Sequence, residues 1–117
     1  MPGDEIEPYR ARCSRRRAEL DEALARIVAF AGTTPDIERI IVFGSYARER
    51  TAPGSDLDLL VVRDGGPVDL VDDVYRACGV PGDALGIRTE AFPAQLEETP
   101  FGRTILAEGR VAYARPA

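Results

Sequence analysis

Asp56 and Asp58 stand one residue apart, ten residues beyond a Gly44-Ser45 pair, and each pair adjoins an apolar run. In a strand, side chains i and i+2 lie on one face, so the two carboxylates are expected to point the same way. Like charges about 5 Å apart repel by roughly 3 kcal/mol at an effective dielectric of about 20, so a positive charge is wanted between them. Two hard oxygen ligands on one face suit Mg²⁺, which takes carboxylates, substrate phosphates and retained waters. Gly44 permits a conformation or close approach that a Cβ would forbid. Ser45 falls where a helix N-cap is expected, ahead of Tyr46 to Arg50. A strand–Gly–Ser–helix junction offers backbone N–H groups and a hydroxyl to an anion such as a phosphate.

What the chain lacks narrows the chemistry further. It has no histidine, which excludes Ser-His-Asp triads, zinc–histidine sites and imidazole acid–base catalysis. All fifteen basic residues are arginine, so a Walker-type phosphate lysine and Schiff-base chemistry are excluded as well. Carboxylates, hydroxyls, arginines and a metal remain. A net charge of −5 argues against general nucleic-acid binding, which draws on a basic surface. No apolar run reaches the length of a membrane span and no signal peptide opens the chain. Cys13 and Cys78 are distant from one another and lack metal-ligand spacing, consistent with reduced thiols in the cytoplasm. At 117 residues, the chain is expected to be a single domain, 1–117.

The elements that must position these residues follow from periodicity. Residues 1–8 are acidic, proline-bearing and expected to fray. A helix is expected over 9–31, with Leu20, Ala23, Leu24, Ile27, Val28 and Ala31 recurring on one side. Arg10, Arg12, Arg15, Arg16 and Arg17 form its basic end, either solvated or touching a nucleotide, a nucleic acid or a partner chain. Gly32 to Pro35 stops that helix. Ile37 to Phe43 reads as a buried strand, and Asp56 to Val62 as a second one buried on both faces beyond the aspartates. Val68 to Cys78 reads as a helix with Asp69, Asp72 and Asp73 solvated. Ala84 to Thr89 reads as a third strand, Phe92 to Glu98 and Phe101 to Glu108 as short helices, and Gly109 to Ala114 as an edge strand.

Gly44-Ser45, ten residues, then Asp56-Leu57-Asp58 resembles the G-S-x10-D-x-D signature of the DNA polymerase β-like nucleotidyltransferase superfamily. Gly-Ser-Tyr-Ala-Arg and Ser-Asp-Leu-Asp-Leu-Leu-Val resemble its small branch, the minimal nucleotidyltransferases. The likeness spans about Ile27 to Tyr113 and is sharp from Phe43 to Val62. It implies an α/β (α+β) fold with a mixed sheet flanked by helices. It also implies one or two Mg²⁺ ions held by Asp56 and Asp58, and ATP as the donor of a nucleotidyl group. A third carboxylate at the start of the third strand is implied too; Asp83 in Val80-Pro81-Gly82-Asp83 matches that position, with Glu90 in reserve. Arg48 matches a basic position of the motif and would neutralise phosphate charge, beside Gly44 and Ser45 as the nucleotide-binding residues. The chain departs from the branch at Glu49, where glycine is usual, and at Gly54, where Asp or Asn is frequent.

Members of the branch often stand beside a HEPN-family ribonuclease toxin and act as its antitoxin, by binding it or by adenylylating one of its tyrosines. The resemblance therefore implies a HEPN toxin as partner in a hetero-oligomer. A catalytically silent module that neutralises a partner by occlusion is the alternative, and transfer to a small molecule such as an antibiotic is a third.

Overall fold

The computed structural model describes residues 2–64 and 82–116, with the backbone alone at 2–5 and 82–83. The helix expected over Val68 to Cys78, with its three aspartates, lies outside the described residues. Within them the chain forms α1 (Pro2–Gly32), β1 (Ile37–Phe43), α2 (Gly44–Ala47), β2 (Leu57–Arg63) and β3 (Gly82–Arg88). A 3-10 turn (Thr89–Ala91), α3 (Ala94–Glu97), α4 (Pro100–Glu108) and β4 (Arg110–Ala114) follow. The strands make one sheet in the order β3-β2-β1-β4. β1 runs antiparallel to β2 and β4, whereas β2 and β3 are parallel. This is the mixed sheet flanked by helices that the resemblance implied.

The sheet has a core on each face. From β2, Leu57, Leu59 and Val61 join Leu20, Ala23, Ile27 and Ala31 of α1. Leu60 and Val62 turn the other way, to Ile41, Phe43, Ile87 and Ile105 of α4. A strand buried on both sides needs apolar side chains at successive positions, which is why 59–62 breaks the polar–apolar alternation of a half-exposed strand. α1 packs its i, i+3, i+7 and i+11 positions from Leu20 onward, and its first turns reach past the sheet. It begins at Pro2, ahead of the start expected at residue 9.

α2 ends on a feature that glycine would serve better. Arg50 N–H donates to the Ser45 carbonyl at 2.8 Å, and Glu49 N–H donates to the Tyr46 carbonyl at 3.1 Å. These two bonds make a Schellman cap, whose C′ residue adopts the left-handed conformation. That residue is Glu49, at φ 60°. A side chain there costs about 1–2 kcal/mol, and the exposed Glu49–Arg110 ion pair at 3.9 Å returns little. Part of the gain from glycine is lost to its larger unfolded-state entropy. Glu49→Gly is therefore expected to stabilise the fold by about 1 kcal/mol and raise Tm by about 4 °C in a thermal melt. An unchanged or lower Tm would remove this account of position 49.

At the opposite end of the sheet, Arg63 is buried and pairs with Asp36. Arg115 Nη1 donates to Asp64 Oδ2 at 2.6 Å and to the Pro35 carbonyl at 2.8 Å, while Thr89 Oγ1 donates to Asp64 Oδ1 at 2.7 Å. The bond from Arg115, and then that from Thr89, hold the Asp64 carboxyl below its ordinary value. A carboxyl with a depressed folded pKa stabilises above its unfolded value and loses that contribution as pH falls through its folded one. Arg115→Ala is expected to lower Tm most at neutral pH, where the Asp64 contribution is present in full, and to change it least at about pH 2, so that the acid side of the curve of Tm against pH flattens.

Candidate active site

Gly44 is the hinge of the site. Its φ is +79°, in the left-handed region, and an added Cβ would stand 2.2 Å from Asp58 Oδ2. β1 therefore turns into α2 directly against that carboxylate. The contact follows from register: Phe43 pairs with Asp58 in the antiparallel β1–β2 ladder, so the next residue crosses the end of the Asp58 side chain. Asp58 itself is half-buried, on the face to which Leu60 and Val62 point.

Asp56 lies one residue before β2, so the strand's alternation governs Asp58 and stops short of Asp56. A different element orients it. Arg16 of α1 donates from Nη2 to Asp56 Oδ1 at 2.9 Å and from Nε to the Ser55 carbonyl at 2.6 Å, and its Nη1 contacts Glu19 at 3.1 Å. Part of the positive charge expected beside the aspartate pair thus comes from α1. The arginine takes one oxygen of a carboxylate that stays half-exposed, with 51% of its side-chain surface open to solvent. The Asp56 carboxylate is neither buried nor enclosed. The contact that Arg16 makes within the chain is with the aspartate motif, which neither reading of the basic run named.

Ser45 is not the N-cap. Phe43 holds that position, without a side-chain cap bond, and Ser45 is the second residue of α2. Its hydroxyl donates to Ser55 Oγ at 3.1 Å, and Ser55 Oγ also accepts from Ala52 N–H at 2.8 Å. The left-handed turn at Gly44 starts the helix two residues early, which frees the serine to bridge the two halves of the motif. Tyr46, between them in sequence, is structural. It is buried, donates its hydroxyl to Asp21, and lies 4.8 Å beneath the Arg17 guanidinium. Burial, followed by the bond to Asp21, raises its pKa above the usual phenol value.

In the parallel ladder Asp83 is the register partner of Asp58, so its backbone stands beside the motif on the neighbouring strand. Glu90 lies past the opposite end of β3, where it lines a cleft of about 240 Å³ with Arg63, Arg88 and Gln95. The fold therefore separates the reserve carboxylate from Asp58. Arg48 is the C-cap of α2 and donates to Glu108 Oε2 of α4 at 3.2 Å. Gly44, Ser45, Asp56 and Asp58 are brought together, and Arg16 is the member that sequence reasoning missed.

Comparison with known proteins agrees with this arrangement. A family model described as a nucleotidyltransferase domain matches residues 17–110. A protein of Methanocaldococcus jannaschii, named as a candidate protein adenylyltransferase, is 38% identical over 80 residues, 66% of this chain and 79% of that protein. The crystal structure of a candidate nucleotidyltransferase from Sulfolobus solfataricus superposes with a TM-score of 0.53 at 20% identity, over 89% of this chain and 88% of the other. The last of these establishes the fold. The match from α1 to the first residue of β4 establishes the family: the chain belongs to the nucleotidyltransferase domain family and is a nucleotidyltransferase.

Proposed function

We propose that this nucleotidyltransferase transfers AMP from ATP to a hydroxyl on a partner protein, with Mg²⁺ held by Asp56, Asp58 and Asp83. The observation that carries the reading is the seating of Gly44 on Asp58: a Cβ would fill the space at its Oδ2, 2.2 Å away. The residues fit the ion, since the donors are hard carboxylate oxygens and Asp83 enters the ladder beside Asp58. When bound, such an ion would neutralise phosphate charge and lower the pKa of the attacking hydroxyl.

The chain's own groups do the rest. Gly44 keeps a side chain out of the triphosphate's path to Asp58. The Ser45 and Ser55 hydroxyls, already bonded to one another, supply a donor for a phosphate oxygen. Arg48 would exchange Glu108 for phosphate charge. The acceptor oxygen bonds to the α-phosphorus, the α–β anhydride bond breaks, pyrophosphate leaves, and Asp83 takes the hydroxyl proton.

We assign the acceptor to a tyrosine of a HEPN-family ribonuclease, which makes the chain an antitoxin. The name of the Methanocaldococcus relative supports a protein acceptor, and the resemblance of Phe43 to Val62 to minimal nucleotidyltransferases supports the HEPN class. The test is transfer from ATP labelled at the α-phosphate to a co-expressed HEPN partner. The expected result is label and one added AMP mass on a partner tyrosine, absent with Asp58→Asn. Neutralisation of the partner with no change in its mass would instead establish occlusion by a silent module.

A further inference from the structure

Phe101 is the most exposed of the large apolar side chains among the described residues, at 58%. Its position is tightly determined. Thr99 caps α4, its Oγ1 accepting from Gly102 N–H at 3.0 Å, and Pro100 fills the first helical turn. At Gly102 an added Cβ would stand 2.0 Å from the Leu96 carbonyl oxygen, so α3 and α4 meet there backbone to backbone. Ile105, one turn on, is buried in the core beneath. The backbone on both sides of Phe101 is thus held, and the ring's exposure is imposed by well-packed neighbours.

Among the described residues, the ring's aromatic contact leads back to the site. Phe101 meets Phe43 edge to face, with centroids 5.9 Å apart and planes at 79°. Phe43 is the register partner of Asp58, and directly opposed residues of an antiparallel pair project from the same face. Phe101 therefore stands one ring beyond the residue that flanks Asp58, and Gly44 follows Phe43 in the chain. Whichever ring supplies the edge, Phe43 leaves at least one face of Phe101 uncovered. Of the other exposed large apolar residues among those described, Ile6 and Tyr9 lie on the first turns of α1 and Val111 on β4, while Leu85, the register partner of Leu60, is on the neighbouring strand β3.

We infer that Phe101 is the platform on which the base of the nucleoside triphosphate stacks while its phosphates lie at Gly44 and Asp58. The inference rests on the nucleotide reading above and adds the base subsite to it. Every base presents a π face, so a lone phenylalanine grips the base without selecting its hydrogen-bonding edge. The donor's affinity would then depend on Phe101, and its identity would be set elsewhere.

Calorimetric titration of the whole chain with Mg-ATP and with Mg-tripolyphosphate, which has no base, separates the two readings. Phe101→Ala is expected to weaken Mg-ATP by about 5- to 150-fold, the range measured for loss of one base–aromatic stack, and to leave tripolyphosphate unchanged. Phe101→Tyr keeps the π face and should bind Mg-ATP as the wild type does. Unchanged Mg-ATP affinity in Phe101→Ala overturns the inference, as does a parallel loss of tripolyphosphate. In either case Asp58→Asn, which should lose both ligands, tells whether the phosphate site stands without the platform. A wild-type chain that binds neither ligand sinks both readings.

Discussion

Asp58→Asn is expected to fold normally and to lose about a thousandfold or more in nucleotidyl transfer. The substitution keeps the shape that sits against Gly44 and removes one charge. Asn keeps the volume of the half-buried Asp58, so the melting temperature of the variant should change little. Activity is expected to fall, because a carboxylate that binds a catalytic cation contributes several kcal/mol to charge stabilisation in the transition state. At about 1.4 kcal/mol per factor of ten, a loss of about 4 kcal/mol is a thousandfold. Loss of transfer without loss of stability makes the pair of measurements diagnostic. Transfer assays and thermal melts on one preparation suffice; full activity in the variant would remove the metal role from Asp58.

The same tension between charge and packing explains how much of the site could be read before its geometry was known. Ile37 to Phe43 is a strand because a β-branched and aromatic run buried on both faces leaves few alternatives, and its observed limits are those expected. The Gly-Ser and Asp-x-Asp pairs were visible as polar residues placed where apolar runs end. Arg16 was not. Five arginines within eight residues look alike in sequence, and only the packing of Leu20, Ala23 and Ile27 on the sheet decides which one faces Ser55 and Asp56, some forty positions away. Ser45 meets the rule for a cap, a serine that follows a strand, but Gly44 at φ +79° lets the helix begin two residues sooner. Position 49 was visible only as a departure from the usual glycine. Its left-handed backbone supplies the physical reason why glycine suits it. The pairing of Asp83 with Asp58 depends on parallel register between strands, which no local pattern encodes.

Gly44→Ala is expected to damage both the fold and the activity, and its cost should depend on residue 58. Two penalties combine. A non-glycine residue in the left-handed region costs about 1–2 kcal/mol, and forcing a methyl into filled space costs about 1–3 kcal/mol. The second penalty has a named partner, since the Cβ would stand 2.2 Å from Asp58 Oδ2 and 3.1 Å from its carboxyl carbon. The carboxylate must move, and a displacement of about 1 Å at a positioned catalytic group costs on the order of a hundredfold in rate. Destabilisation by about 2–5 kcal/mol is therefore expected alongside a loss of activity of at least that size. A double-mutant cycle separates the terms. In an Asp58→Ala background the obstructing oxygen is gone, so Gly44→Ala should cost only its backbone penalty, leaving a coupling energy of about 1–3 kcal/mol between positions 44 and 58. Additive effects in denaturant unfolding would mean that the glycine serves the turn alone. Coupling of the expected size would mean that the glycine at 44 and the aspartate at 58 fit as one unit, the methyl-free turn being what leaves room for the acid.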